Sequence, residues 1–239
     1  MIFSKNDRIV FLGDSVTDAG SVCPIGEGLG NNAGHGYVRM IDNLLASVYP
    51  ELCVRVTNAG ISGNDSRHLL ARTERDCLAL NPDWISVCIG INDVWRQFDA
   101  PSFTEQAVLP EEYEQNLSRI LAMCRSGAGV KGIFLLTPFY IEPNREDPMR
   151  KRMDEYGAIC ARLAENTDAP SSICKRCLKN TVRFATPPLS RGTACTPTRS
   201  AQCSLQENFS ATAALIITAK KRDPLRKESG LSLLFCHFI

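Results

Sequence analysis

Ile9-Val-Phe-Leu-Gly-Asp-Ser-Val-Thr-Asp-Ala-Gly20 passes without transition from an apolar run, Ile9 to Leu12, into Gly13-Asp14-Ser15. An apolar run closed by glycine reads as a buried parallel strand ending in a tight turn. In open α/β sheets the loops at the carboxyl ends of strands are where ligands bind. A serine at that point has two readings. It is either a nucleophile or the N-cap of the next helix, the commoner use of serine after a strand.

The 239 residues suit one domain, with or without an extension. A net charge of +1 argues against a general attraction to nucleic acid or acidic membrane. Met1-Ile-Phe-Ser-Lys-Asn-Asp-Arg8 is too short and polar for a signal peptide, and no apolar segment reaches bilayer-spanning length, so a cytoplasmic protein is expected. Eleven cysteines in that setting read as reduced thiols. The averages conceal a break. Through Thr167 there are 16 Lys+Arg against 22 Asp+Glu, a net of −6. From Asp168 onward there are 11 against 4, a net of +7, with 5 of the 11 cysteines and 15 Ser+Thr.

Along the chain, Val22 to Gly36 reads as a Gly/Asn-rich loop over the strand ends. Tyr37, Met40, Ile41, Leu44, Leu45 and Val48 keep helical spacing up to Tyr49-Pro50. Val54 to Asn58 is a second strand, followed by the loop Ala59-Gly-Ile-Ser-Gly-Asn-Asp-Ser66. That loop opens a helix capped by Asp65 or Ser66, with Leu70, Thr73, Cys77 and Leu80 as its inner face. Trp84 to Gly90 is a central strand ending in Ile91-Asn92-Asp93. Tyr113, Leu117, Ile120, Leu121 and Cys124 mark a third helix, Gly132 to Thr137 a fourth strand, and Met149, Met153, Tyr156, Cys160 and Leu163 a fourth helix. Four strands alternating with four helices predict a parallel sheet covered on both faces. A fifth strand is expected near residue 170, and the residues there do not spell one.

Three polar clusters therefore follow strands one, two and three. Acyl transfer by serine needs a nucleophile and donors aimed at the oxyanion that forms on the carbonyl. Ser15 offers the nucleophile and its own N–H, Gly63 a second N–H, and the Asn92 side-chain amide a third donor. Taken singly, each cluster reads as turn or cap chemistry. Their order, each after a strand, favours the functional reading.

On Phe11-Leu-Gly-Asp-Ser15, Asn58-Ala-Gly-Ile-Ser-Gly63 and Ile89-Gly-Ile-Asn-Asp93, the first two-thirds of the chain resembles the SGNH (GDSL-type) hydrolases. The resemblance implies a three-layer α/β/α flavodoxin-like fold over residues 1–167. It also implies a GDSL-type esterase or lipase that hydrolyses esters of carbohydrates, lysophospholipids or short acyl groups without metal or cofactor. Ser15 would be the nucleophile, and Ser15 N–H, Gly63 N–H and Asn92 the oxyanion hole, with Asp14 and Asp93 supporting. The substrate would be a small-molecule ester, walled by residues 22–36 and 95–103.

The family draws its general base from an Asp-x-x-His-Pro block before the last helix, and none of His35, His68 or His237 lies in such a block. Residues 168–239 form a basic, Cys/Ser/Thr-rich segment, expected to be poorly ordered, with the last strand and helix lost or non-native. The genetic code supplies a reason. Arg191-Gly-Thr-Ala-Cys-Thr-Pro-Thr198 can be encoded so that, read one base earlier, it spells Trp-Asp-Arg-Val-His-Pro-Asn. Under the same shift Pro170 to Lys175 spells Phe-Val-Asp-Leu-Gln, a fitting fifth strand. A frameshift near residues 166–168 accounts for both strings and for the break in composition. Cys174-Lys-Arg-Cys177 and the basic Lys220 to Lys227 run then need no metal or nucleic-acid function.

Two further readings stand beside the esterase. One is an inactive SGNH-like domain that binds an acyl or sugar ligand. The other is a flavodoxin-like nucleotide binder holding phosphate at Gly13-Asp14-Ser15, disfavoured because the loop lacks the glycines and lysine of phosphate cradles. A sheet missing its last strand would also expose an unpaired edge, which predicts association or poor solubility. Sequencing the gene across codons 160–200 tests the frameshift. One base change should restore both strings together; if none does, the explanation is wrong.

Overall fold

Ile9 and Phe11 belong to one apolar cluster and Val10 and Leu12 to another, all four fully buried. A strand reads that way only when both faces of its sheet are covered. The computed structural model describes residues 2–165 except Ala100, Phe139, Ile141 and Pro143. The expectations for residues 168–239, including the strand near 170, lie outside the described residues.

Strand β1 (Arg8–Gly13) sits at the centre of a five-stranded sheet. It is flanked by β3 (Arg55–Gly60) and β4 (Trp84–Cys88), both parallel to it, and β5 (Gly132–Leu136) is parallel to β4. The two residues of β2 (Gly26–Glu27) pair antiparallel with β3, giving the order β2-β3-β1-β4-β5. Among the described residues β5 ends the sheet. On one face pack α3 (Ser66–Asp76), α4 (Ile91–Asp99), α5 (Pro110–Ser126) and α6 (Pro148–Glu165), around Leu69, Val94, Tyr113, Leu117 and Tyr156. On the other, α2 (Tyr37–Val48) and Phe3 cover Ile9, Phe11, Trp84 and Phe134. The three-layer α/β/α expectation holds.

The differences from the sequence reading are local. Residues 22–36 are not loop throughout, because Gly26 and Glu27 pair with Asn58 and Thr57. Two residues carry no periodic signal. The cluster Ile91-Asn92-Asp93 opens a nine-residue helix, α4, where only Ile91 and Val94 are buried apolar residues and Trp95 packs partly buried beside them. Strand β4 stops at Cys88, two residues before Gly90, whose φ of +132° breaks the extended run.

Asn58 holds the loop layer to the sheet. Its amide nitrogen donates to Thr17 O at 2.7 Å, Ala33 O at 3.0 Å and Asp18 O at 3.3 Å, while its oxygen accepts from Gly60 N at 2.9 Å. One fully buried side chain thus satisfies carbonyls from the turn after β1 and from the long loop after it. Asn58→Ala should cost about 3 kcal/mol in denaturant unfolding, because Thr17 O and Ala33 O would lose this donor, while Asp18 O keeps Ser21 N. It should also speed proteolysis within residues 21–36. A loss below about 1 kcal/mol would contradict this account of the loop.

Candidate active site

The turn after β1 is compressed. A Cβ on Gly13 would meet Thr17 Oγ1 at 2.1 Å and Cys88 O at 2.6 Å. The following α1 (Ser15–Asp18) is only four residues long, and its N-cap is Asp14, whose carboxylate accepts from Val16 N at 2.9 Å. The capping role that serine might have filled therefore belongs to its neighbour. Ser15 stands at the first helical position and is exposed, next to a fully enclosed Asp14. The same division occurs at α3, where Asp65 is the cap, accepting from His68 N at 2.9 Å, and Ser66 is the first helical residue.

Gly63 lies in the loop between β3 and α3 with φ +82°, a backbone conformation that favours glycine. A Cβ there would meet nothing within 4 Å, so the residue borders open space. Asn92 lies in the first turn of α4, is 3 % exposed, and donates from Nδ2 to Asn64 O at 2.8 Å. A primary amide carries two N–H bonds, so one remains for a ligand. Ile61 N donates to Gly13 O at 3.1 Å, joining the end of β3 to that of β1. Ser15, Gly63 and Asn92 thus follow the carboxyl ends of three adjacent strands, β1, β3 and β4. Neighbouring strands are about 4.8 Å apart, so the three loops leave the sheet side by side. Ser15 is exposed, Gly63 borders open space and Asn92 keeps one N–H, all at the carboxyl-end side of the sheet.

The two aspartates have different surroundings. Asp93 accepts from Ser66 N through both carboxylate oxygens, at 3.0 and 3.1 Å, and so ties α4 to the start of α3. Burial pushes its carboxyl up to about 7 against those hydrogen bonds. Burial likewise pushes Asp14 up to about 7, opposed by the Val16 N–H bond and assisted by the nearby Asp93 charge. Of the histidines, His35 is exposed, and His68 is held by its Nδ1 at 2.7 Å from Asp65 Oδ1. Neither hydrogen-bonds Ser15 among the described residues, and His237 lies outside them. No group of three or more His, Cys, Asp or Glu among the described residues is placed to hold a metal ion. Their six cysteines are free thiols, and none of their helices is long and apolar enough to cross a membrane.

Residues missed in the sequence are the buried polar ones beneath the site: Asn58, Asp18 and Arg72. A signal for Arg72 existed. Leu69, Arg72, Thr73 and Asp76 repeat at helical spacing on one side of α3, and all four are buried. The inner face expected from Leu70, Thr73, Cys77 and Leu80 is thus rotated by one residue at its start, with Leu70 only partly buried.

The fold, with these polar clusters after its strands, is that of an SGNH-type α/β hydrolase, and the comparisons with known proteins agree. The chain belongs to the GDSL-like Lipase/Acylhydrolase family, whose model matches residues 11–172. An acetylxylan esterase of Geobacillus stearothermophilus is 48% identical over 169 residues, which cover 71% of this chain and 76% of that protein. The crystal structure of Axe2, an acetylxylan esterase from that organism, aligns over 89% of this chain and 96% of its own, with TM-score 0.76 and 40% identity. LAE5, described as an α/β hydrolase enzyme from the metagenome of Lake Arreo, aligns over 90% and 99% with TM-score 0.74 and 38% identity.

The buried carboxyls set a pH dependence of stability. Asp14 and Asp93 ordinarily ionise near 3.8 but hold their protons to about 7 when folded. Between those values the folded state binds protons that the unfolded chain has released, so the contribution of these two groups is fullest below about 4 and falls as pH rises to about 7. Asp93→Asn removes one such group while keeping an acceptor for Ser66 N. Its melting temperature relative to the parent should climb from pH 5 to pH 8. A difference that stays constant with pH would refute the shift at Asp93.

Proposed function

We propose that this protein is a serine esterase that removes acetyl groups from carbohydrate. The observation that carries the reading is the convergence of Ser15, Gly63 and Asn92 at three adjacent strand ends, in a chain 48% identical to an acetylxylan esterase. Ser15 Oγ attacks the acetyl carbonyl and its proton passes to a general base. The oxyanion accepts hydrogen bonds from Ser15 N–H, Gly63 N–H and the free N–H of Asn92. Collapse expels the sugar oxygen, which takes the proton from the base. Water, giving its proton to the base, then attacks acetyl-Ser15; the acyl–oxygen bond breaks, the proton returns to Ser15 Oγ, and acetate leaves. No step calls for a metal or cofactor. The alternative of a domain that binds without turnover gains no support from the comparisons, whose relatives are esterases.

The base is the histidine spelled in the shifted frame. Solved catalytic mutants of the Geobacillus enzyme replace a serine, an aspartate, and a histidine three positions after that aspartate. A further mutant replaces the tryptophan directly before the aspartate. Trp-Asp-Arg-Val-His, read one base earlier across Arg191 to Thr198, has the same residue types at the same spacing. That agreement supports residues 1–167 as the hydrolase domain and the segment from 168 as the product of another frame.

The test compares the chain as written with a frame-restored chain, each beside its Ser15→Ala variant, on acetylated xylooligosaccharides and an aryl acetate. Restoring the frame should raise kcat about 10³-fold or more, and Ser15→Ala should abolish that gain. Acetate release by the frame-restored chain that is indifferent to Ser15→Ala would overturn the proposal.

A further inference from the structure

Beneath the three oxyanion donors lies one guanidinium. Arg72, on the inner face of α3, is 5 % exposed. Its Nη2 donates to Gly13 O at 2.8 Å, its Nη1 to Ala59 O at 2.7 Å, and its Nε to Asn64 Oδ1 at 2.7 Å. Gly13 is two residues before Ser15, Ala59 lies in the last turn of strand before the Gly63 loop, and Asn64 directly follows Gly63. The carbonyl of that same Asn64 receives the Asn92 amide. A single planar fork is therefore bonded to the supports of all three donors. The other side of Gly63 is fixed as well: Ser62 donates from N and Oγ to Asp18 Oδ2.

The charge is compensated away from the site. Asp76 Oδ2 lies 3.4 Å from Arg72 Nη1, and Asp76 is itself held by the exposed Arg75. Burial pulls the guanidinium down while Asp76 pushes it back up. A buried arginine is expensive unless its donors are used. A wholly apolar residue would cover β1 and β3 at less cost, but it would leave Gly13 O, Ala59 O and Asn64 Oδ1 without this donor.

We propose that Arg72 is the positioning residue of the oxyanion hole: it fixes the separation of the Ser15 N–H, the Gly63 N–H and the Asn92 amide without touching substrate. The proposal rests on the esterase reading above. Its effect is expected on the tetrahedral state, not on binding of the flat ester, since donors must sit where the oxyanion will be and small displacements cost rate.

The experiment measures kcat and KM for an aryl acetate, and binding of phenylboronic acid, which forms a tetrahedral anion on the serine oxygen, in the parent chain, Arg72→Lys and Asn64→Ala. Arg72→Lys keeps the charge but not the fork. Asn64→Ala removes one of the bonds and leaves Arg72 in place, so it serves if the lysine variant fails to fold. Melting curves identify the folded variants. Arg72→Lys should lower kcat about 10- to 100-fold and Asn64→Ala about threefold to tenfold, with KM within about threefold of the parent. The boronate should weaken in proportion to kcat. Folded variants with parental kcat and parental boronate affinity would overturn the proposal, as would a loss confined to KM. If the parent binds boronate at Ser15 but hydrolyses no ester, the boronate series alone judges Arg72, while the frame-restored chain judges the esterase reading. A parent that binds no boronate removes both.

Discussion

Everything at the site depends on β1 lying between β3 and β4 with all three strands parallel. Parallel neighbours end on the same side of the sheet, so three loops from distant parts of the chain emerge side by side. The middle loop is the tight one. Gly13 has no room for a side chain against Thr17 and the Cys88 carbonyl, and this forces an immediate elbow into a four-residue helix. With Asp14 satisfying the cap, Ser15 is left at the surface with its hydroxyl uncommitted to the helix end.

The loops that meet there bring backbone carbonyls into a region closed to water, and those carbonyls need donors. The protein supplies them from a layer of inward polar side chains: Asn58 for the turn after β1, Arg72 for the ends of β1 and β3, Asn92 for the Gly63 loop. Asp93 does the complementary task, accepting the first N–H of α3. These residues tie the loops at the three strand ends to the sheet and to one another. The cost appears in the carboxyls: enclosing Asp14 and Asp93 favours their neutral form near neutral pH.

The strands, the long helices and the three site clusters were legible in the sequence for one physical reason. Strands buried on both faces read as unbroken apolar runs, and amphipathic helices such as Tyr113 to Cys124 repeat faithfully. Ser15 and Asn92 stood out because each follows such a run, and Gly63 because its cluster follows the shorter, mixed strand from Val54 to Asn58. What escaped has little or no periodicity. The β2 pairing consists of two residues, and α4 buries too few apolar side chains to announce a helix. Asn58 and Arg72 escaped for another reason. A buried polar residue is written in the same letters as an exposed one, and only its partners, brought close by the fold, tell the two apart.

Ile9 pairs with Val56 on one side and Trp84 on the other, partners 47 and 75 positions away. Loops of that length close late and slowly during folding, because their entropy is spent before the contacts form. The three donors therefore cannot assemble in any partly folded species that has not already joined the whole central sheet. An intermediate with good helices and an open β1 would have no oxyanion hole at all. The oxyanion hole proposed around Ser15 is for that reason a product of the completed central sheet.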